Sequence, residues 1–333
     1  MGVHSNISFF IPHLGCPHRC SFCNQCSITG QSYLTKSEDI KRVVDIAVNS
    51  KKYSSDNTEI AFFGGSFTAI DREYMISLLK AAYPFVENKT VKGIRISTRP
   101  DAIDDEVLIL LKKYGVTAIE LGAQSMDDYV LTLNERGHNS SDVINASKLI
   151  KEYGFSLGLQ MMTGLYGSTP DIDRKTVQRF IEISPETVRI YPTVVLKGTK
   201  LEKYVISGEY IPENVDTAVK NCTEYIRLFN ENGINVIRVG LHHIDQKSFV
   251  AGAWHPAFSE LCMSEMFFQK ALKKFNVLRK GEYIIYVNEK YISAAVGQKK
   301  INIKKFKELG FDCLIKADKN LKEKELRIER REK

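Results

Sequence analysis

The sequence predicts an α/β protein: a parallel sheet, open or rolled into a partial barrel, with its helices outside and a small basic α+β module after it. Three observations predict it. Short β-branched and aromatic runs alternate with amphipathic helical patterns through most of the chain, as in successive βαβ units. Polar and glycine-rich residues fall just after the strand runs, where ligands collect in such folds. The charge is also uneven. Between Lys290 and Lys333, 14 Lys/Arg stand against 7 Asp/Glu, which is the entire +7 excess of the chain.

Ile7–Pro12 reads as the first strand, and a helix over Glu38–Ser50 takes Thr35 or Ser37 as its cap. The strand Glu59–Phe63 runs into Gly64-Gly65 and is followed by a helix over Arg72–Tyr83. Gly93–Ser97 is the third strand, with a helix over Asp104–Tyr114. Ala118–Leu121 is the fourth, followed by helical stretches at Asp127–Asn134 and Ser141–Tyr153. Ser156–Met161, a helix over Asp171–Ile183 and Thr187–Tyr191 complete six strands with helices between them. A loop after Thr199, a helix near Asn214–Asn232 and a further strand at Asn235–Val239 come next. The expected organisation is residues 1–240 as the sheet domain, 241–282 as its extension with a soft boundary, and 283–333 as the basic module.

At 333 residues the chain has room for one large α/β domain and an appendage. No apolar run approaches the roughly 18–20 residues of a membrane helix. Met1–Ser5 offers neither a charged n-region nor the start of an apolar signal core, so a cytoplasmic protein without membrane association is expected. Seven cysteines, four of them in positions 16–26, fit a reducing compartment and a cluster or metal, not a disulfide framework. Cys222, Cys262 and Cys313 are scattered and read as buried spectator thiols. A basic end on a nearly neutral body suggests a polyanionic partner; a solvated lysine-rich helix is the plain alternative.

The chemistry concentrates in Cys16-Pro17-His18-Arg19-Cys20-Ser21-Phe22-Cys23, a C-x3-C-x2-C loop just after the first strand. Three thiolates so close cannot pair off as disulfides. They can hold three corners of an iron–sulfur cube and leave the fourth iron open to a ligand. A four-thiolate zinc site that adds Cys26, or a redox C-x-x-C pair, are the rival readings, although structural zinc usually draws two knuckles from separate segments.

With Phe22 before its last cysteine, this loop resembles that of the radical S-adenosylmethionine superfamily, in which the three cysteines hold a [4Fe–4S] cluster. The open iron chelates S-adenosylmethionine, and electron transfer to the sulfonium yields a 5′-deoxyadenosyl radical. The resemblance implies Cys16, Cys20 and Cys23 as cluster ligands and a partial (βα)6 TIM-like barrel as the fold. Ala61-Phe62-Phe63-Gly64-Gly65-Ser66 matches the family segment that receives the amino group of S-adenosylmethionine, and paired glycines at a strand end do allow such close backbone approach. Ser97-Thr98-Arg99-Pro100-Asp101, Glu120-Leu121-Gly122-Ala123-Gln124-Ser125, Asn134-Glu135-Arg136-Gly137-His138, Met161-Met162-Thr163-Gly164-Leu165 and Ile190–Thr199 resemble the Elongator catalytic-subunit branch. Oxygen-independent coproporphyrinogen oxidases share the outline less fully. By that resemblance Gln124 and Arg136 contact the ribose and the carboxylate of S-adenosylmethionine, which suits an amide and a guanidinium fork. Phe22, Gly64, Gly65, Ser66 and Gln160 join them as cofactor contacts, while Tyr191 and Lys197 face the substrate.

Two departures qualify the carry-over. The family often has a glutamate where Ser97 stands. The Elongator subunit also continues into an acetyl-transferase domain, and no domain-sized segment with its glycine-rich loop comes after residue 240, so a separate acyl-transfer partner is a candidate. The C-terminal module reads instead as a strand at Tyr283–Val287, a helix at Ile301–Leu309, and strands at Cys313–Ala317 and Glu325–Ile328. Gly297-Gln298-Lys299-Lys300 vaguely resembles the G-x-x-G loop of a KH module with its second glycine lost. Lys299, Lys300, Lys304 and Lys305 are the candidate phosphate contacts. His242, His243, His255 and Trp254 read as loop residues, not as a metal site. The expected function is radical S-adenosylmethionine chemistry on RNA, tRNA in particular, with a flavodoxin- or ferredoxin-like reductant. A small-molecule or porphyrin-like substrate is the alternative enzyme reading, and a non-catalytic RNA-binding protein stapled by its cluster is the alternative outside enzymology.

Overall fold

Seven strands lie side by side in chain order, every neighbouring pair parallel: β1 (Ser5–Ile11), β2 (Thr58–Gly64), β3 (Gly93–Thr98), β4 (Val116–Gln124), β5 (Ser156–Thr163), β6 (Thr187–Pro192) and β8 (Asn235–Val239). The structure, a computed structural model, describes residues 5–11, 16, 20–24, 34–51, 53–241, 244–323 and 325–331. The crossovers carry α1 (Ser37–Val48), α2 (Arg72–Glu87), α3 (Asp105–Lys113), α4 (Asp128–Leu133), α5 (Ser140–Glu152) and α6 (Pro170–Ile183). Because strand order follows chain order, each right-handed crossover steps the same way and sets its helix on the same face. The other face carries no crossover helix and curls into the concave wall of a half-barrel.

Alternation along the strands sorts the two faces. Ile60, Phe62, Ile94, Ile96, Ile119, Leu121, Leu157, Leu159 and Val188 are fully buried beneath helix residues such as Val44, Leu78, Leu108, Val143 and Val177. Phe62 stacks on Phe67 at 4.8 Å. Burying a side chain of this size stabilises the fold by roughly 1.5–3 kcal/mol. Residues one step out of phase form the lumen and are polar: Glu59, Arg95, Ser97, Glu120, Gln160, Arg189 and Arg238, adjacent strands holding Ser97 beside Glu120 and Arg189 beside both Gln160 and Arg238.

Caps account for most helix starts. Asp104, Asp127 and Thr169 accept from Val107, Val130 and Ile172, and Pro170 fills the first helical position of α6. At α1 the cap differs from expectation. Lys36 holds the position, its N–H donating to Asp39 Oδ2 at 3.0 Å, while the Thr35 hydroxyl donates to the Phe10 carbonyl at 3.1 Å. After Thr199 the chain is helical, not a loop: α7 (Lys200–Ser207) is capped by the Thr199 hydroxyl and stopped by Gly208 in left-handed conformation, and α8 (Val215–Glu231) follows. A short antiparallel pair, β7 (Val194–Leu196) with β9 (Phe249–Gly252), comes after β6 and was not anticipated.

Residues 1–213 with 228–254 form one compact unit, and residues 214–227 with 255–333 form the other. In the second unit a three-stranded sheet has β10 (Gly281–Val287) at its centre, parallel to β11 (Phe311–Ala317) and antiparallel to β12 (Leu326–Arg330). The parallel pair is bridged by α10 (Ile292–Val296) and α11 (Ile301–Glu308). Its core joins Phe267, Ala271 and Phe275 of α9 (Phe258–Phe275) to Tyr283, Ile285, Val287, Phe306, Phe311 and Cys313. The unit therefore reaches back past residue 283, because one face of α9 is part of that core. Among the described residues no helix is long and apolar enough to cross a membrane.

Candidate functional site

The cysteine loop leaves the C-terminal end of β1. Cys16, Cys20 and Cys23 are in no disulfide, Cys16 exposed and the other two half-buried; Cys26 lies outside the described residues. Ser21, fully buried, pins the loop from below. Its hydroxyl donates to Asn134 Oδ1 at 2.7 Å, its N–H donates to the Asn134 carbonyl at 3.2 Å, and its carbonyl accepts from Leu201 at 3.0 Å. A tight turn closes where the Cys23 N–H meets the Cys20 carbonyl at 3.0 Å. Asn24 donates from Nδ2 to the Lys197 carbonyl at 3.0 Å, which joins the loop to the exposed Lys197 beyond β7.

Two guanidinium groups face the sulfurs. Arg136 donates from Nη1 to Cys20 Sγ at 2.9 Å and from Nη2 to the Gly122 carbonyl at 2.6 Å, and lies 5.8 Å over the Phe22 ring. Arg99 forks onto Asp101 at 2.6 and 2.8 Å and donates to the Arg136 carbonyl at 3.1 Å. Burial works against the Arg99 charge, but Asp101, with Cys16 and Cys20 nearby, outweighs it and holds the pKa above the ordinary value. His138, next in the same segment, donates from Nε2 to the Ala123 carbonyl at 3.2 Å. Burial and the Arg136 charge push its pKa down to about 4, so it is neutral at physiological pH.

The glycine segment is tied to the same strand end. Gly65 N–H donates to the Ile11 carbonyl at 2.8 Å, and Ser66 Oγ lies 3.6 Å from Cys16 Sγ. Gly64 has φ +105°, and a Cβ there would approach the Ile11 backbone to 3.3 Å; only glycine fits. Gln124 ends β4 in left-handed conformation at φ +68°, a strained position for a residue with a side chain. Its Oε1 is buried without a partner among the described residues, and so is Arg136 Nε. A side chain on Gly122 would fill the space between them, its Cβ 3.2 Å from Gln124 Nε2 and 3.5 Å from Arg136 Nη2. Two unsatisfied polar atoms beside a glycine cradle form a small site with donor and acceptor capacity left over.

Gln160 belongs to a separate, buried lattice in the lumen. Its Nε2 donates to Glu120 at 2.9 Å and to Ser97 Oγ at 3.3 Å. Glu120 takes both Nε and Nη2 of Arg189, at 2.6 and 2.9 Å, and accepts from Arg95 at 3.3 Å; Arg95 also donates to Glu59 at 2.7 Å. Burial alone would raise the Glu120 pKa, but Arg189 and Arg95 reverse the sign and hold it below the usual carboxylate range. Arg189 lies 5.1 Å over the Phe63 ring. Tyr191 stands half-buried beside it, its phenol pKa raised by burial.

The structure thus gathers Cys16, Cys20, Phe22, Ser66 and Arg136, with Gln124 and Gly122 adjoining, while Gln160 and Tyr191 belong to the lumen. Sequence reasoning did not single out Ser21, Asn134, Arg99 or the Glu59–Arg95–Glu120–Arg189 lattice as functional positions. Charged residues in the middle of otherwise apolar strand runs were the available signal for the lattice. His255 Nδ1 accepts from the Ala257 N–H at 3.1 Å and so shapes a turn, and Trp254 packs on Phe249; His242 and His243 lie outside the described residues.

A half-barrel with a three-cysteine loop after its first strand defines a class of enzyme. The model of the Radical SAM superfamily matches residues 10–181, and that of the radical SAM C-terminal domain matches residues 185–267. The chain belongs to the radical SAM superfamily. It is 31% identical over 232 residues to a tRNA uridine(34) acetyltransferase of Dehalococcoides mccartyi, which covers 60% of this chain and 50% of that one. It is 30% identical over 178 residues to human Elongator complex protein 3, covering 47% of this chain and 32% of that one. The chain therefore spans half or less of the length of these relatives. The fold matches that of an archaeal Elp3 from Methanocaldococcus infernus lacking residues 1–46, with a TM-score of 0.65 and 21% identity over 88% of this chain and 68% of that one.

Proposed function

We propose that this enzyme cleaves S-adenosylmethionine with a [4Fe–4S] cluster held by Cys16, Cys20 and Cys23, and that it modifies tRNA. Among the described residues no three of His, Cys, Asp and Glu converge as ligands of a single ion would. A cubane asks for something different, one thiolate on each of several irons, and three cysteines outside any disulfide on one pinned loop suit that demand. When bound, the cluster supplies the electron that breaks the sulfonium and yields the 5′-deoxyadenosyl radical.

The residues around the loop have complementary work. Arg136, already donating to Cys20, keeps Nε for a carboxylate, and Gln124 keeps Oε1 for a ribose hydroxyl. Gly64, Gly65 and Ser66 present backbone and hydroxyl groups beside Cys16 to an ammonium. Phe22 covers the Arg136 guanidinium, and Gln160 offers its carbonyl from the lumen. The concave wall of the half-barrel would shield one side of the radical from solvent. The observation that carries the reading is the Arg136–Cys20 contact beside two unsatisfied polar atoms. The tRNA substrate is supported by the names of the relatives and by the basic stretch after Lys290, and a flavodoxin- or ferredoxin-like protein would supply the electron.

The test is direct. Cys16→Ala, Cys20→Ala and Cys23→Ala should each abolish the visible absorbance of the anaerobically reconstituted protein and its release of 5′-deoxyadenosine. Retention of both in any one variant overturns the ligand assignment. Failure of the wild-type protein to bind bulk tRNA even at low salt overturns the substrate and favours a small molecule.

A further inference from the structure

Arg238, on β8, is the lumenal cation that the lattice leaves uncompensated. Arg189 is engaged by both oxygens of Glu120 and by the Tyr191 hydroxyl, and Arg95 is shared between Glu59 and Glu120, so two guanidiniums meet two carboxylates. Arg238 pairs in register with Arg189 on the neighbouring strand, on the same face of the sheet. Among the described residues its one hydrogen bond is from Nε to the Gly240 carbonyl, at a long 3.3 Å, and no carboxylate reaches it. Both Nη atoms remain for a ligand. Burial lowers its pKa, Tyr191 opposes that and repulsion from Arg189 adds to it, so an anion placed there would meet an unpaired cation. Beside it is Tyr191, likewise on the lumen face; its hydroxyl accepts from Arg189 and keeps its own proton to donate, because burial raises its pKa.

We propose that Arg238, with the Tyr191 hydroxyl, is an oxyanion subsite that takes a carboxylate or phosphate of the molecule admitted to the lumen. The guanidinium fork and the phenol O–H match two oxygens of such a group. The assignment rests on the proposed function and on the expectation that Tyr191 faces the substrate, and it adds a chemical preference: the substrate or co-substrate carries an oxyanion, and Arg238 orients it.

Arginine-selective labelling with phenylglyoxal, read peptide by peptide in the full-length reconstituted protein, tests this without turnover. Arg238 should label faster than Arg189 and Arg95, whose nitrogens are taken. At matched ionic strength, inorganic phosphate or succinate should slow its labelling saturably, about threefold when the anion is at twice its dissociation constant. Chloride should not. Phosphate alone or succinate alone identifies which oxyanion the site takes. Tyr191→Phe should weaken the protection without altering the labelling of unprotected Arg238. Equal labelling in all three salts overturns the subsite, as does an Arg238 as inert as Arg189. Protection by S-adenosylmethionine and by neither anion gives the residue to the cofactor and overturns it too. Because no step depends on 5′-deoxyadenosine, this result and that of the cysteine variants can fail independently.

Discussion

The amide of Asn134 is buried and used at both ends. Nδ2 donates to the Val130 and Tyr166 carbonyls at 2.8 and 2.9 Å, and Oδ1 accepts the Ser21 hydroxyl in the middle of the cysteine loop. Asn134→Ala strands the buried Ser21 hydroxyl, at about 1–3 kcal/mol, and frees the part-buried Tyr166 carbonyl. A lowered urea midpoint is expected together with reduced iron content after reconstitution; a variant that loads iron like wild type would show that Ser21 does not position the loop. Asp173 gives a pH signature from the same side of the barrel. Its carboxyl accepts from the Gly164 N–H at 2.8 Å and the Ser168 hydroxyl at 2.5 Å, yet burial, with Glu213 adding to it, pushes its pKa up to about 7. The folded state thus keeps a proton that the unfolded chain releases above its ordinary 3.8. This group's contribution is full below that value, declines as pH rises and levels off above about 7. Asp173→Asn should flatten the fall in Tm across that window, and an unchanged slope would remove Asp173 as its source.

Elements differ in how openly the sequence declares them. The six βα units were legible because each strand run ends in turn residues and most helices open on an acceptor such as Asp104 or Thr169. Helix α7 carried the same signs, Thr199 at its cap, Glu202 three residues on and Gly208 at its end, but it is short and comes after a turn. Helix α9 was readable from Phe267, Ala271 and Phe275 at four-residue intervals, a stripe that acquires meaning only with the sheet it covers. The β7–β9 pair was not legible, since its strands are three and four residues long and far apart in sequence. Likewise the cysteine triplet announced itself, whereas Ser21 and Asn134 matter through a contact spanning 113 positions. The lumen face of the sheet supports a prediction of its own. Arg189→Met leaves Glu120 buried with only part of its partners, and about 3–5 kcal/mol of stability should be lost. Adding Glu120→Gln should recover a substantial share, because the stranded charge is gone. The Glu120 pKa is depressed in the fold, so its stabilisation is present above the ordinary 4.5 and is lost as pH falls through the lower folded value. The single variant's deficit should therefore shrink in acid; a deficit constant with pH would mean that packing, not charge, was lost.

Across the whole molecule the two units divide the chemistry by charge. The first holds the thiols of the cysteine loop and a lumen in which most charges are neutralised in pairs, and the second carries the surplus of lysine and arginine after Lys290. Within that surplus the lysines are not equivalent. Lys305 is engaged, 2.9 Å from Glu265 and 4.8 Å over the Phe268 ring, so it serves the local packing of α9 and α11. Lys299, Lys300 and Lys304 are exposed, and the first two occupy left-handed backbone at φ +50° and +59° in the turn before α11. Non-glycine residues held in that region cost energy and often mark a functional turn. If tRNA phosphates are what this turn meets, replacing Lys299, Lys300 and Lys304 together by alanine should weaken binding of bulk tRNA. Each lost phosphate contact should also make the log–log salt slope shallower by about 0.7–0.9. Lys305→Ala should instead lower Tm and leave that slope alone. Iron content and 5′-deoxyadenosine formation should persist in the triple variant, because every residue proposed for those tasks lies in the other unit. An unchanged salt slope in the triple variant would reduce the basic stretch to a solvated surface and move the tRNA contacts elsewhere on the chain.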